Sequence, residues 1–163
     1  MKRRDIIALV IILGVFLWLV YPVLGLPSMY PGTVEEGDVL KSFQTTVDVI
    51  PTCYGVGVLY CGVTGININT HEWTVLSIIP KRSLSWWCTF GAGTDITVEL
   101  KILDSGTVVY DFKKSLSICD RTVSNTWSYT LKKKEGTVKC YDYVARVFQG
   151  GELQLEKKEE FCW

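Results

Sequence analysis

The chain has 163 residues, of which 48% are hydrophobic, and its 17 Lys and Arg balance 17 Asp and Glu. Without Lys2, Arg3, Arg4 and Asp5, the body holds 14 basic against 16 acidic residues, so it lacks the basic excess that phosphate neutralisation requires, and nucleic acid is not an expected partner. Six Trp, eight Tyr and six Phe make the body too apolar for a disordered chain, and the length suits one domain plus an anchor.

Residues 6–26 (IIALVIILGVFLWLVYPVLGL) carry no charge. A helix of about 20 such residues spans a hydrocarbon core of about 30 Å. Trp18 and Tyr21 fall near its outer end, where aromatic rings favour the interface. Lys2, Arg3 and Arg4 precede the run and the next basic residue is Lys41, an asymmetry that predicts a cytoplasmic N-terminus and an extracellular body. The expected order is a cytoplasmic stub (1–5), a transmembrane signal-anchor helix in the lipid bilayer (6–26), a linker (27–40) and an extracytoplasmic domain (41–163). A signal peptide cleaved after Gly25 would export the body equally, as a secreted domain. A pilin-like leader would instead place the helix in the core of a filament. The linker is punctuated by Pro27, Pro31, Gly32 and Gly37.

Beyond the linker no long helical period is found. Short alternating runs broken by Gly, Ser, Asp and Asn predict an all-β, antiparallel β-sandwich of eight or nine strands. The first candidates are 43–50, 56–60, 65–69 and 73–79. Cys53 and Cys61 flank the glycine-rich YGVGVLY, which can fold back on itself. His71 lies in Asn69-Thr70-His71-Glu72, read as a polar turn; as the single imidazole it would have to serve any Ser-His or Cys-His pair, and such a residue is read as surface. Trp86-Trp87 stands beside Cys88. On a strand one of the two faces the core and the other faces out, which makes Trp86 and Trp87 candidates for an interaction surface. Gly91-Ala92-Gly93 lacks the Lys and the helix of a phosphate-binding loop.

The clearest element is 94–118. Ile96, Val98, Leu100 and Ile102 alternate with Thr97, Glu99 and Lys101; Asp104-Ser105-Gly106 makes the turn; Val108, Tyr110 and Phe112 alternate on the return strand. The stretch TVELKILDSGTVVYDFKKSLSI resembles the central strands of immunoglobulin-like and fibronectin III-like modules of prokaryotic, archaeal-type cell-surface proteins. The resemblance covers about 30 residues, implies an Ig-like sandwich with an adhesive or structural role, and transfers no functional residue. The antibody-type Cys…Trp…Cys core spacing is absent.

Trp127, Tyr129 and Leu131 alternate in a further strand, and Lys132-Lys133-Lys134 leads into a solvated turn at Glu135-Gly136. A last hairpin, 138–148 and 152–163, turns at Gly150-Gly151. With that tip, paired positions sum to about 301, and one β-bulge would bring Cys140 opposite Cys162. Six cysteines (Cys53, Cys61, Cys88, Cys119, Cys140, Cys162) in an exported body predict disulfides, with 53–61, 88–119 and 140–162 as the expected pairs. No C-x2-C pair supports zinc and no C-x-x-C supports redox catalysis. Glu35-Glu36 and Glu159-Glu160 are adjacent, so on extended chain their side chains diverge. Asn67, Asn69 and Asn125 begin no glycosylation sequon. Trp163 beside Cys162 can tuck into a groove of its own domain or of a neighbour.

No cofactor, metal or catalytic set emerges. The reading is a non-enzymatic, membrane-anchored surface protein that binds a protein partner or itself. A filament or viral-envelope subunit is the alternative, and a secreted hydrolase on a β-scaffold the third.

Overall fold

The period-two runs become seven strands among the described residues of the computed structural model, which are 3–20, 25–54, 60–78, 93–119 and 121–163. A helix α1 (Arg3–Val20) is followed by β1 (Asp38–Tyr54), β2 (Tyr60–Glu72), a 3-10 turn (Val75–Ile78), β3 (Thr94–Asp104), β4 (Thr107–Ile118), β5 (Val123–Lys134), β6 (Cys140–Gln149) and β7 (Glu152–Cys162). They form two antiparallel sheets, β2-β1-β5 and β4-β3-β6-β7. The constant-type immunoglobulin arrangement puts its first, second, fifth and fourth strands in one sheet. Among the described strands the first, second and fifth form a sheet without the fourth, an order that differs from that pattern.

Alternation sets the core. Ile96, Val98, Leu100 and Ile102 from β3 and Tyr141, Tyr143, Ala145 and Val147 from β6 meet Phe43, Val47, Val49, Ile66, Ile68, Tyr129 and Leu131 from the other sheet. One polar chain crosses this interior: the Thr45 hydroxyl is hydrogen-bonded to those of Thr70 and Tyr129, and Tyr129 donates to Tyr143 at 2.8 Å. Burial pushes both phenols above the usual tyrosine range. Edge-on and stacked ring pairs fill the surrounding space, among them Phe43 with Phe161 at 5.1 Å and Phe112 with Trp127 at 5.9 Å.

Both predicted hairpins close through two-residue turns with positive φ at each position, 50° and 85° at Ser105 and Gly106 and 60° and 85° at Gly150 and Gly151. This geometry matches the right-handed twist of the flanking strands. The expected bulge is present: pairing shifts between Val147 and Phe148, Gln154 is left over, and Cys140 comes opposite Cys162. A corresponding shift leaves Val109 over in the β3–β4 hairpin.

Four expectations change. Residues 73–79 were expected as strand, yet Val75–Ile78 is a 3-10 turn, because a short apolar run fits either period. Residues 69–72 were expected as turn, yet they continue β2, with His71 opposite Gln44 and Glu72 opposite Phe43. The helix starts at Arg3, and Gly25 and Leu26 lie outside it. Arg3, Arg4 and Asp5 occupy its first turn, leaving about 22 Å of uncharged helix. Among the described residues no helix is long and apolar enough to cross a membrane. The candidate strand at 56–60 lies almost wholly outside the described residues.

The fourth change concerns the linker. β1 begins at Asp38, within the stretch 27–40, and residues 25–37 are fastened to the body as a strap. The Ser28 amide donates to the Ser128 carbonyl at 2.8 Å, and Ser28 forms a parallel bridge with Tyr129. The Lys132 ammonium donates to the Thr33 carbonyl at 2.7 Å, and the Glu135 amide to that of Gly37 at 3.0 Å. Two phenols complete the cover of the β5 edge. Tyr110 donates to the Thr130 carbonyl at 2.7 Å and accepts from the Thr130 amide at 3.3 Å. Tyr141 does the same at Lys132. These groups satisfy backbone donors and acceptors that an edge strand otherwise leaves open.

Candidate interaction face

The pleat sends alternate residues of each sheet outward, and the two outer faces differ in chemistry. On the β4-β3-β6-β7 sheet the face is ionic. Glu99, only 4% exposed, is surrounded by Lys113 at 3.3 Å, Arg146 at 3.6 Å and Lys101 at 3.8 Å. Arg146 continues to Glu156 at 2.6 Å, and Lys101 to Asp111 at 3.5 Å. Each charge named has a counter-ion, which makes this a solvated, self-satisfied surface.

The β2-β1-β5 face is built from hydroxyls and amides. Register brings β2, β1 and β5 residues into rows: His71, Gln44 and Ser128; Asn69, Thr46 and Thr126; Asn67, Asp48 and Ser124. His71 Nε2 lies 3.0 Å from Gln44 Oε1, and Gln44 Nε2 donates to Ser128 Oγ at 3.5 Å. The Thr46 and Thr126 hydroxyls are 2.9 Å apart. Asp48 accepts from Asn69 at 3.3 Å and from Ser124 at 2.5 Å. These rows contain no Lys or Arg, and Asp48 is their single carboxylate. Asn67, Asn69, His71, Ser124 and Thr126 are exposed. Successive rows repeat at about 7 Å and each spans about 10 Å across three strands. Neighbouring side chains fix one another's rotamers while leaving further lone pairs and protons directed at solvent. Such a surface suits an uncharged polar partner.

His71 is level with Gln44, and Asp48 lies four residues further along β1, about 13 Å away, beyond hydrogen-bond reach. Sequence reasoning missed this face because its rows depend on pairing β1 with β5, about 80 residues apart in the chain. Within this sheet the alternation did mark one side of the 127–131 strand, through Ser128 and Thr130, as polar.

Of the residues singled out by sequence, Trp86 and Trp87 lie outside the described residues. Trp163 tucks into its own domain: its ring sits 5.2 Å from that of Phe43, Lys133 stands 4.6 Å over it, and its backbone pairs with Lys139 at 3.1 Å in both directions. Its indole N–H is buried without a hydrogen-bond partner among the described residues. The structure brings Cys53 to Cys61 and Cys140 to Cys162, each pair directly opposite in its hairpin and bonded. Cys119 is also disulfide-bonded; its expected partner Cys88 lies outside the described residues. Cys140, Glu160 and Cys162 cluster closely enough to hold a metal, but the two sulfurs are bonded to each other and offer no thiolate.

The lysine run sits on β5, and the turn follows at Glu135–Gly136 as expected. Asp38, Lys132, Lys133, Lys134, Thr137, Val138 and Lys139 line a cleft of about 320 Å³. Its charges are engaged internally. Asp38, whose side chain is 1% exposed, meets Lys134 at 2.9 Å and Lys132 at 3.2 Å, and accepts from the Glu35 amide at 2.7 Å. That amide, with the two ammonium groups, holds the Asp38 carboxyl well below the usual carboxylate range. Lys139 pairs with Asp104 at 2.5 Å. The Asp38 cluster fastens the strap. No protein-family model matches this chain, and no curated protein matches it.

Proposed function

We propose that this chain is a non-enzymatic, membrane-anchored module that displays its sandwich outside the cytoplasm and recognises a protein partner through the hydroxyl-amide face of the β2-β1-β5 sheet. The observation that carries the reading is the contrast between the two outer faces. One neutralises its own charges, whereas the other presents ordered hydroxyl and amide donors and acceptors with Asp48 as the single carboxylate of its rows, which favours specific recognition over mere solubility. The bonded cysteines support an oxidising compartment. The apolar run 6–26 behind Lys2, Arg3 and Arg4 supports a signal-anchor with an extracellular body.

A second reading, a filament subunit, is favoured by α1 itself: its apolar residues are exposed, with Ile12 at 66% and Val10 at 63%, and self-association would cover them.

One experiment addresses both. A photo-crosslinker is placed at Thr126 on the neutral face, at Lys113 on the ionic face or at Ile12 on the helix, in the full chain in its native membranes. Adducts to another protein from Thr126 and not from Lys113 support the module. Ladders of the chain with itself from Ile12 support the filament. Equal yields from Thr126 and Lys113, or none from either, sink the assignment of the face.

A further inference from the structure

Where the chain emerges from its N-terminal apolar segment, the fold places a second apolar group. Gly25 is the first described residue of the body, and its carbonyl accepts a hydrogen bond from the Trp73 indole at 3.0 Å. Trp73 is fixed in turn by its amide, which donates to the Ser42 carbonyl of β1 at 3.0 Å. Gly25 has φ +62°, and a Cβ there would stand 3.1 Å from the Ser77 carbonyl. Two requirements therefore select glycine: a left-handed backbone and close approach of the 3-10 turn. That turn carries Val75 and Leu76, 74% and 78% exposed. Val75 and Leu76 are adjacent, so they form a small contiguous apolar patch rather than a single exposed side chain.

We infer that Val75 and Leu76, with the Trp73 ring behind them, form a lipid-contact loop that enters the bilayer interface beside the N-terminal anchor. The inference rests on the anchor reading above. The occupant follows from chain length. Five residue steps separate Val20, the last helical residue, from Gly25, a span of at most about 18 Å. A helix inserted in a membrane therefore keeps Gly25, and the turn packed on it, close to the lipid surface. Trp73 suits that position, with its apolar ring available to the interface and its N–H already paired within the protein. The contact would orient the sandwich on the membrane instead of leaving it to swing from a flexible stalk.

The test uses the full chain in vesicles of phosphatidylcholine and phosphatidylglycerol. An environment-sensitive NBD label is attached at Leu76→Cys, at Val75→Cys or, as a control, at Val108→Cys on β4. Doxyl-labelled lipid is expected to remove most of the emission at positions 75 and 76 and none at 108. Gly25→Val should reduce the quenching at 76 while the chain still floats with the vesicles. A chain that floats but whose labels at 75 and 76 remain water-like overturns the lipid contact and leaves the anchor standing. Labels shielded from water without lipid quenching mark a protein contact and overturn it equally. A chain that does not float overturns the anchor reading and this contact with it.

Discussion

Tyr110→Phe isolates how the β5 edge is held. The Tyr110 ring is nearly buried, and a phenylalanine keeps its packing against Phe112 and Tyr129. What is lost is the hydroxyl: a bond to the Thr130 carbonyl at 2.7 Å, a bond from the Thr130 amide at 3.3 Å, and contact with the strap carbonyl of Met29 at 3.0 Å. The substitution removes about two net hydrogen bonds worth about 1 kcal/mol each and leaves a partly shielded amide and carbonyl without a partner, so the expected loss is about 2–3 kcal/mol. For a body of this size that lowers Tm by roughly 10 °C. Urea unfolding of the oxidised protein supplies the free energy, and hydrogen exchange at the Thr130 amide supplies the local readout. Tyr54→Phe, at a side chain 70% exposed, serves as the control. A loss under about 0.5 kcal/mol, or unchanged exchange at Thr130, would refute the idea that phenols hold this edge. The same group gives a pH dependence. Burial pushes the Tyr110 phenol up to about 12 from an ordinary 10.0. The folded state thus favours the protonated form, and the stability it confers is complete below pH 10 and is lost as the pH climbs through 12.

Acid should act through Asp38. Its carboxyl is held below the ordinary range, so its contribution is present above about pH 4 and disappears as the pH falls further. Asp38→Asn should flatten the decline of stability between neutral and acid pH in urea melts, and an unchanged slope would count against the assignment. The disulfides should differ in effect. Loop entropy gives about 2.6 kcal/mol for Cys53–Cys61, separated by 8 residues, and about 3.4 kcal/mol for Cys140–Cys162, separated by 22. Paired Cys→Ser variants compared by urea unfolding check the order, which a larger loss at Cys53–Cys61 would contradict. Gly151→Ala forces a side chain into φ 85° and should cost about 1–2 kcal/mol, read as a fall in thermal midpoint.

The hairpins were legible because their information is local. Ile96 to Ile102 alternate within one strand, the Ser105-Gly106 and Gly150-Gly151 turns announce themselves by residue type, and counting outward from the second turn called for one bulge to align Cys140 with Cys162, which the structure places between Val147 and Phe148. The hydroxyl-amide face was not legible, because Thr46 meets Thr126 only through long-range pairing. The strap was concealed for another reason. Pro27, Pro31 and Gly32 are what a flexible linker would contain, and nothing in 25–37 reveals that Tyr110 and Lys132, about 80 to 100 positions away, will hold its carbonyls. The Val75–Ile78 turn failed by ambiguity, since a short run that is apolar apart from Ser77 satisfies both periods. At His71 the polar letters around it suggested a turn, yet Thr70 beside it reaches Thr45 in the interior.

The strap also has a mechanical consequence. A pull between the N-terminal segment and the body meets its fastenings in series: the Gly25 carbonyl at Trp73, the Ser28 amide at Ser128, the Thr33 carbonyl at Lys132 and the Gly37 carbonyl at Glu135. Contacts loaded one after another rupture singly at low force, whereas β1, bonded along both flanks to β2 and β5, resists as a unit. Residues 25–37 have a contour length of about 45 Å, of which about 20 Å is already spanned where they run beside 129–135, so peeling them away would lengthen the tether by about 25 Å with the sandwich intact. In a force-extension trace this should appear as an early, reversible step ahead of any unfolding event. A domain that grips a partner while its own base is tugged would thereby have a built-in shock absorber.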